Sequence, residues 1–206
     1  MMMERLSSNK FGKESVGVIL LILIAALGRI LLVGYNLQPF PNFEVITLVT
    51  FLGVFLFRSK IALIIPIMSI LISDLVLGNT VFINPLNKII IFTYSGFLMV
   101  ALVSRFSVNR FNKYLSSVTP RGVMVITLIG LTLSLVYDVW TNFGWWYLFY
   151  PHTPEAFTVV FTAGIPFMIY HLLSNVFLLL VVALPVTTYI TSINLESSVK
   201  HSPLST

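Results

Sequence analysis

The chain has 206 residues, of which 57% are apolar, and only 12 basic and 7 acidic side chains, 9% of the total, carry a formal charge. Soluble domains carry about one quarter charged residues, so this composition excludes a soluble enzyme and a disordered chain, and the lack of cysteine excludes a disulfide scaffold, a thiolate metal site and a Cys nucleophile. The net charge of +5 comes from basic residues in short clusters between apolar runs, a pattern that reports membrane topology and not a nucleic-acid surface.

Cutting the apolar runs at polar, Pro and Gly clusters predicts an all-α polytopic membrane protein, one domain with six transmembrane helices. In chain order the spans are Val16 to Gly34, Phe43 to Phe57, Ile61 to Leu77, Lys88 to Ser104, Val123 to Tyr147 and Pro166 to Ile190. About 20 helical residues cross the hydrocarbon core of a bilayer. The second span is short, so it must tilt little or lean on a neighbour. The last apolar run starts near Phe157 and is too long for one crossing. Proline is favoured at the first position of a helix, so Pro166 is expected to start the sixth span, with Ala156 to Ile165 as a separate short helix or re-entrant lid. A cleaved signal peptide is the rival reading of the first run, with Lys10 and Lys13 ahead of it, but the apolar stretch continues through Gly34, which is long for such a peptide.

Basic residues set the orientation. Arg5, Lys10 and Lys13 in the N-terminal tail, Arg58 and Lys60 after the second span, Arg105, Arg110, Lys113 and Arg121 after the fourth, and Lys200 in the C-terminal tail fall on one side, with Lys88 on the other and Arg29 inside the first span. Both termini are therefore expected in the cytoplasm of a cell-membrane protein. The loops Asn36 to Asn42, Gly78 to Asn87 and Tyr150 to Glu155 then face outward.

Ionisable groups inside a span cost a few kcal/mol each, so they mark internal pairs or a functional path. Five stand out: Arg29, Glu44, Asp74, Asp138 and His171. At a rise of 1.5 Å per residue, Arg29, Asp74 and Asp138 each lie roughly 20 to 22 Å above the cytoplasmic face, Glu44 opens its helix on the outer side, and His171 lies roughly 8 Å below Pro166. A shared depth in the outer half is what an outward-facing binding pocket requires. On the fifth helix Ser134, Asp138, Thr141, Asn142 and Trp145 recur on one face, and on the sixth His171, Ser174 and Asn175 do the same. Other readings stay open at this level. Arg29 with Asp74 or Asp138 would equally register two helices, His171 would equally be a hydrogen-bonded interior histidine, and Glu44 would equally complement a helix dipole. Trp146 and Tyr147 suit an interfacial aromatic belt, whereas Trp145 shares the Asp138 face and can stack a flat ligand. No metal site is expected, because no local ligand spacing supports one, and no cofactor is implied.

The sequence resembles the substrate-binding S components of energy-coupling factor transporters, and within them a branch without an assigned substrate. The resemblance runs from about residue 16 to 190 and is carried by Asn42, Phe43 and Ile46, by Ser73, Asp74 and Gly78, by the block Thr141, Asn142, Phe143, Gly144 and Trp145, and by Tyr150, Pro151, Ile165, Pro166 and Phe167. It implies a six-helix protein that captures a vitamin or similar micronutrient from outside and delivers it by toppling against a T component driven by two ATPase subunits. The segment Tyr35 to Asn42 would be a lid over the pocket. The absence of a G-x-x-x-x-G-K phosphate loop fits that division of labour. Such proteins present small residues four apart on the first helix; here Ala25, Ala26 and Gly28 are three apart or less.

The expected ligand-binding residues are thus Arg29, Asn42, Glu44, Asp74, Asp138, Thr141, Asn142, Trp145, His171 and Asn175, with no catalytic role. Two other classes remain to be weighed. One is a non-transporting scaffold or assembly partner, in which the intramembrane charges only set packing. The other is an intramembrane serine protease, for which Ser95, Gly96 and His171 offer a Ser–His dyad but Thr93 stands where the motif needs glycine.

Overall fold

The computed structural model describes residues 2–79 and 88–200. The outward loop expected over Gly78 to Asn87 therefore lies outside the described residues from Thr80 onward. All regular structure among the described residues is helical: α1 (Met2–Arg29), α2 (Ile46–Phe57), α3 (Ile65–Leu77), α4 (Ile90–Phe111), α5 (Pro120–Phe149), α6 (Pro154–Leu178) and α7 (Leu184–Lys200). Wide π turns extend α1 over Ile30–Gly34 and join α6 to α7 over Leu179–Ala183. Five helical stretches are long and apolar enough to cross a membrane, and Ile46–Phe57 is a shorter apolar helix.

Local chemistry explains most boundaries. Thr119 and Thr153 each cap a helix, accepting from the backbone N–H of Gly122 and Ala156, and each is followed by a proline at the first turn, where its missing N–H costs nothing. Gly78 ends α3 in the left-handed region, with the Asn79 N–H donating back to the Asp74 carbonyl. Arg58 ends α2 with φ 51° and donates its guanidinium to Asn112, which ties the end of α2 to the end of α4.

Pro166 does not start a helix. α6 begins at Pro154 and runs through Pro166 without a break, so the separate element over Ala156 to Ile165 and the start of the sixth span at Pro166 are both corrected. The Thr153 and Pro154 pair supplies the stronger start signal. A helix end at residue 165 would also strand several backbone groups in an apolar setting, whereas one interior proline removes a single N–H. The last apolar stretch is consequently one helical run from Pro154 to Asn194.

α5 packs on α6 and α4, α1 on α3 and α2, and α2 on α4. An apolar core that includes Val18, Phe51, Ile65, Val100, Ile126 and Leu179 occupies one half of the bundle's length. Arg29, Asp74, Asp138 and His171 lie in the other half, further along the same helices. α2 is the central element: at 12 residues it is too short for the bilayer core, but nine of its residues are buried against neighbouring helices. It leans on its neighbours, as its length requires. By contrast α1 turns Val18, Ile22, Ala25 and Ala26 inward and leaves Val16, Ile19, Leu20, Leu23, Ile24 and Leu27 at least 44% exposed. In water each such side chain would forfeit up to about 2 kcal/mol of burial; a bilayer removes that cost.

Candidate functional site

The polar half of the bundle surrounds a cavity of about 610 Å³. Eight of the ten residues expected to bind a ligand line it: Arg29, Asn42, Glu44 and Asp138, and Thr141, Asn142, Trp145 and His171. Asp74 and Asn175 lie behind this wall and support it.

Arg29, at the end of α1, is held from behind. Its Nη1 donates to Asp74 Oδ1 at 2.6 Å and to Ser73 Oγ at 2.6 Å, and the Tyr94 hydroxyl donates to Asp74 Oδ2 at 3.2 Å. Asp74 is 3% exposed, so its charge is balanced inside the protein. Of the two partners open to Arg29 in the sequence, the structure selects Asp74 and joins α1 to α3.

Asp138 pairs with His171 instead. Asp138 Oδ1 lies 2.9 Å from His171 Nδ1 across the α5–α6 interface, and both side chains are buried. One helical turn further along α6, Asn175 Nδ2 donates to Ser134 Oγ at 2.8 Å, and that hydroxyl donates to the His171 carbonyl at 3.3 Å. Asn175 thus fastens the dyad's backbone and does not reach the cavity. The edge of the Tyr137 ring meets the imidazole at a centroid distance of 5.4 Å.

Glu44 has two roles. Its carboxylate accepts from the N–H groups of Ile46 and Thr47 and from the Thr47 hydroxyl, a cap on the start of α2, and the same residue lines the cavity. The segment before it closes over α6. Asn36 and Asn42 adopt positive φ, Asn42 Nδ2 donates to the Phe167 carbonyl at 3.1 Å, and Phe40 stacks on Tyr170 at 5.9 Å. Asparagine tolerates the left-handed region better than other side chains, which is how the eleven-residue connection 35–45 turns twice in so short a distance.

Several wall residues were not singled out in the sequence. Gln38 donates to the Phe43 carbonyl and lines the cavity beside Asn42. Tyr137 is found by its neighbour Asp138 only once the helix phase is known. Gly164 carries no sequence signal at all: a Cβ there would sit 2.6 Å from the Asn142 amide, so only glycine lets Asn142 lie against α6. Trp145 is 46% exposed and stands at the cavity rim beside Phe149. Trp146 and Tyr147 pack into an aromatic group with Phe143, His152 and Phe157.

The Ser95 and His171 pair is not formed. Ser95 Oγ donates to the Ile91 carbonyl at 2.6 Å and accepts from Trp140 Nε1 at 2.8 Å, while the imidazole is bound to Asp138. No group of three His, Cys, Asp or Glu side chains suited to a metal ion occurs among the described residues.

What the arrangement can do is hold a small molecule: an aromatic-walled space with a few fixed polar groups, within the size range of small-ligand pockets. Neither a curated protein nor a solved structure matches the chain. One family model, described as a family of unknown function, DUF6580, matches residues 9–191 and so takes in most of α1, all of α2 to α6, the π turn after it and part of α7. The chain therefore belongs to the DUF6580 family.

Proposed function

We propose that the protein is a multi-pass cell-membrane subunit that captures a vitamin-like micronutrient for uptake, with six crossings and both termini in the cytoplasm. Capture is followed by delivery to a separate coupling module of a T component and ATPase subunits. The observation that carries this reading is the cavity: eight of the residues expected to bind a ligand, seven of them from depth and helix face and Asn42 from the resemblance, line one space of about 610 Å³ at the polar half of the bundle. The skew of basic residues supports an outward-opening site, and the lack of a phosphate loop supports an energy source on another subunit. A thermal-shift panel of vitamins and nucleobase-like compounds on the purified protein tests it, since a ligand that binds only the folded state raises its melting temperature. Co-purification with ATPase subunits tests the second half of the proposal.

A scaffold or assembly role is the second reading. It is favoured by the Arg29 pair with Asp74 and by the Ser134 pair with Asn175, which join helices. A stable protein that no compound in the panel shifts would support it.

A further inference from the structure

The cavity wall carries an uneven set of charges and hydrogen-bonding groups. Arg29 is already balanced by Asp74, which is buried behind it. Two carboxylates, Glu44 and Asp138, line the cavity, and among the described residues Arg29 is the one Arg or Lys side chain that lines it with them. Four of the wall side chains also spend a donor inside the protein. Gln38 and Asn42 give their amides to the carbonyls of Phe43 and Phe167, and Thr93 and Thr141 give their hydroxyls to their own helices.

At the dyad, a carboxylate oxygen is left unsatisfied. Asp138 Oδ2 is buried with no partner. Its other oxygen meets His171 Nδ1, and a carboxylate cannot donate, so Nδ1 carries the proton in that bond. In the neutral imidazole Nε2 is then an acceptor, and it too is buried with no partner. An acceptor left unpaired in a dry interior is costly, and a charged one more so. Around this dyad stand Tyr137, Phe97 and Trp145, whose ring faces attract cations.

We infer that the cavity takes an organic cation: a small flat ligand that presents the N–H groups of a protonated amine or amidine to Asp138 and His171 and lays its ring against the aromatic wall. The inference rests on the capture reading and narrows its substrate class. An anion would meet two carboxylates and an arginine already paired. A neutral ligand would bring no charge to a wall with two carboxylates and one arginine that Asp74 already pairs.

Three probes of one shape test it on the full-length protein in detergent or nanodiscs at neutral pH: benzamidine as the cation, benzamide as the neutral compound and benzoate as the anion. Tryptophan fluorescence and melting temperature report binding. Benzamidine is expected to bind about tenfold or more tightly than benzamide, with benzoate weakest, and Asp138→Asn to shrink the gap between the first two to about threefold or less. Equal or tighter binding of benzamide or benzoate overturns the inference, as does failure of benzamidine to bind, or a preference unchanged in Asp138→Asn. If that variant does not fold, the order of the three probes on the unaltered protein decides alone, and Trp145→Ala, which leaves the dyad intact, is expected to weaken benzamidine. Should neutral or anionic vitamins shift the melting temperature while benzamidine does not, capture stands and the cation class falls. Should neither bind, both fall.

Discussion

Asp138 and Arg29 look alike in the sequence, two ionisable groups at one depth, and the fold gives them different work. Arg29 sits in a pair whose other member is buried, so Arg29→Ala would strand Asp74; a loss of about 3 kcal/mol is expected. The double change Arg29→Met with Asp74→Leu should recover most of it, because an apolar pair of similar volume carries no desolvation penalty. Melting curves of the single and double variants in detergent measure both. Asp138 lines the cavity with an oxygen that nothing in the protein satisfies. Asp138→Ala or Asn142→Ala is therefore expected to weaken ligand binding at least tenfold, roughly 1.4 kcal/mol, while the helical circular dichroism stays that of the parent. Unchanged affinity in both variants would sink the pocket reading. Gly164→Ala is expected to act through Asn142, since the added methyl takes the space its amide occupies. Overpacking of this kind costs about 1 to 3 kcal/mol unless the neighbour moves, so binding should fall more than stability does.

At the scale of helices, the informative case is α6. Proline reads as a helix start or a break, and both readings follow from its missing N–H and fixed φ. Neither counts the surroundings, in which ending the helix would leave more backbone groups unpaired than continuing it. Pro166→Ala is thus expected to keep the helix content and to raise the melting temperature, because alanine restores the lost hydrogen bond. A separate helix that began at this residue would gain nothing from the change. Thr153→Ala should cost about 1 kcal/mol by removing the cap on α6. The pair Thr153 and Pro154 repeats the pair Thr119 and Pro120 that opens α5, so the signal for this start is present in the sequence, inside the segment Tyr150 to Glu155 read as a loop. The depth argument used only the rise of a helix and the residue numbers, and four of its five residues, Arg29, Glu44, Asp138 and His171, line one cavity. Asp74 shares the depth but lies behind Arg29, which rise alone cannot resolve.

For the whole molecule, the outward face of α1 and the two-halved interior belong together. Apolar side chains cover the outside because lipid accepts them, and the polar groups therefore have only the interior to occupy. The cysteine-free chain makes the proposed orientation directly measurable. Gly12→Cys should react with a membrane-impermeant maleimide only after the cells are opened, and Leu37→Cys, at a position 63% exposed, should react in intact cells. The reverse pattern would invert the proposed topology and turn the cavity toward the cytoplasm.

The sequence by itself determined that the chain is helical and apolar, that its few charges are either skewed to the helix ends or gathered at one depth, and which faces of α5 and α6 carry them. These follow from composition, periodicity and rise, which are local properties. Only the tertiary structure decided that Arg29 pairs with Asp74 and not Asp138, that His171 completes Asp138, and that Gly164 makes room for Asn142. Those choices depend on the rotation of each helix about its axis and on which neighbour it meets. Packing between distant segments sets both, and no stretch of sequence contains it.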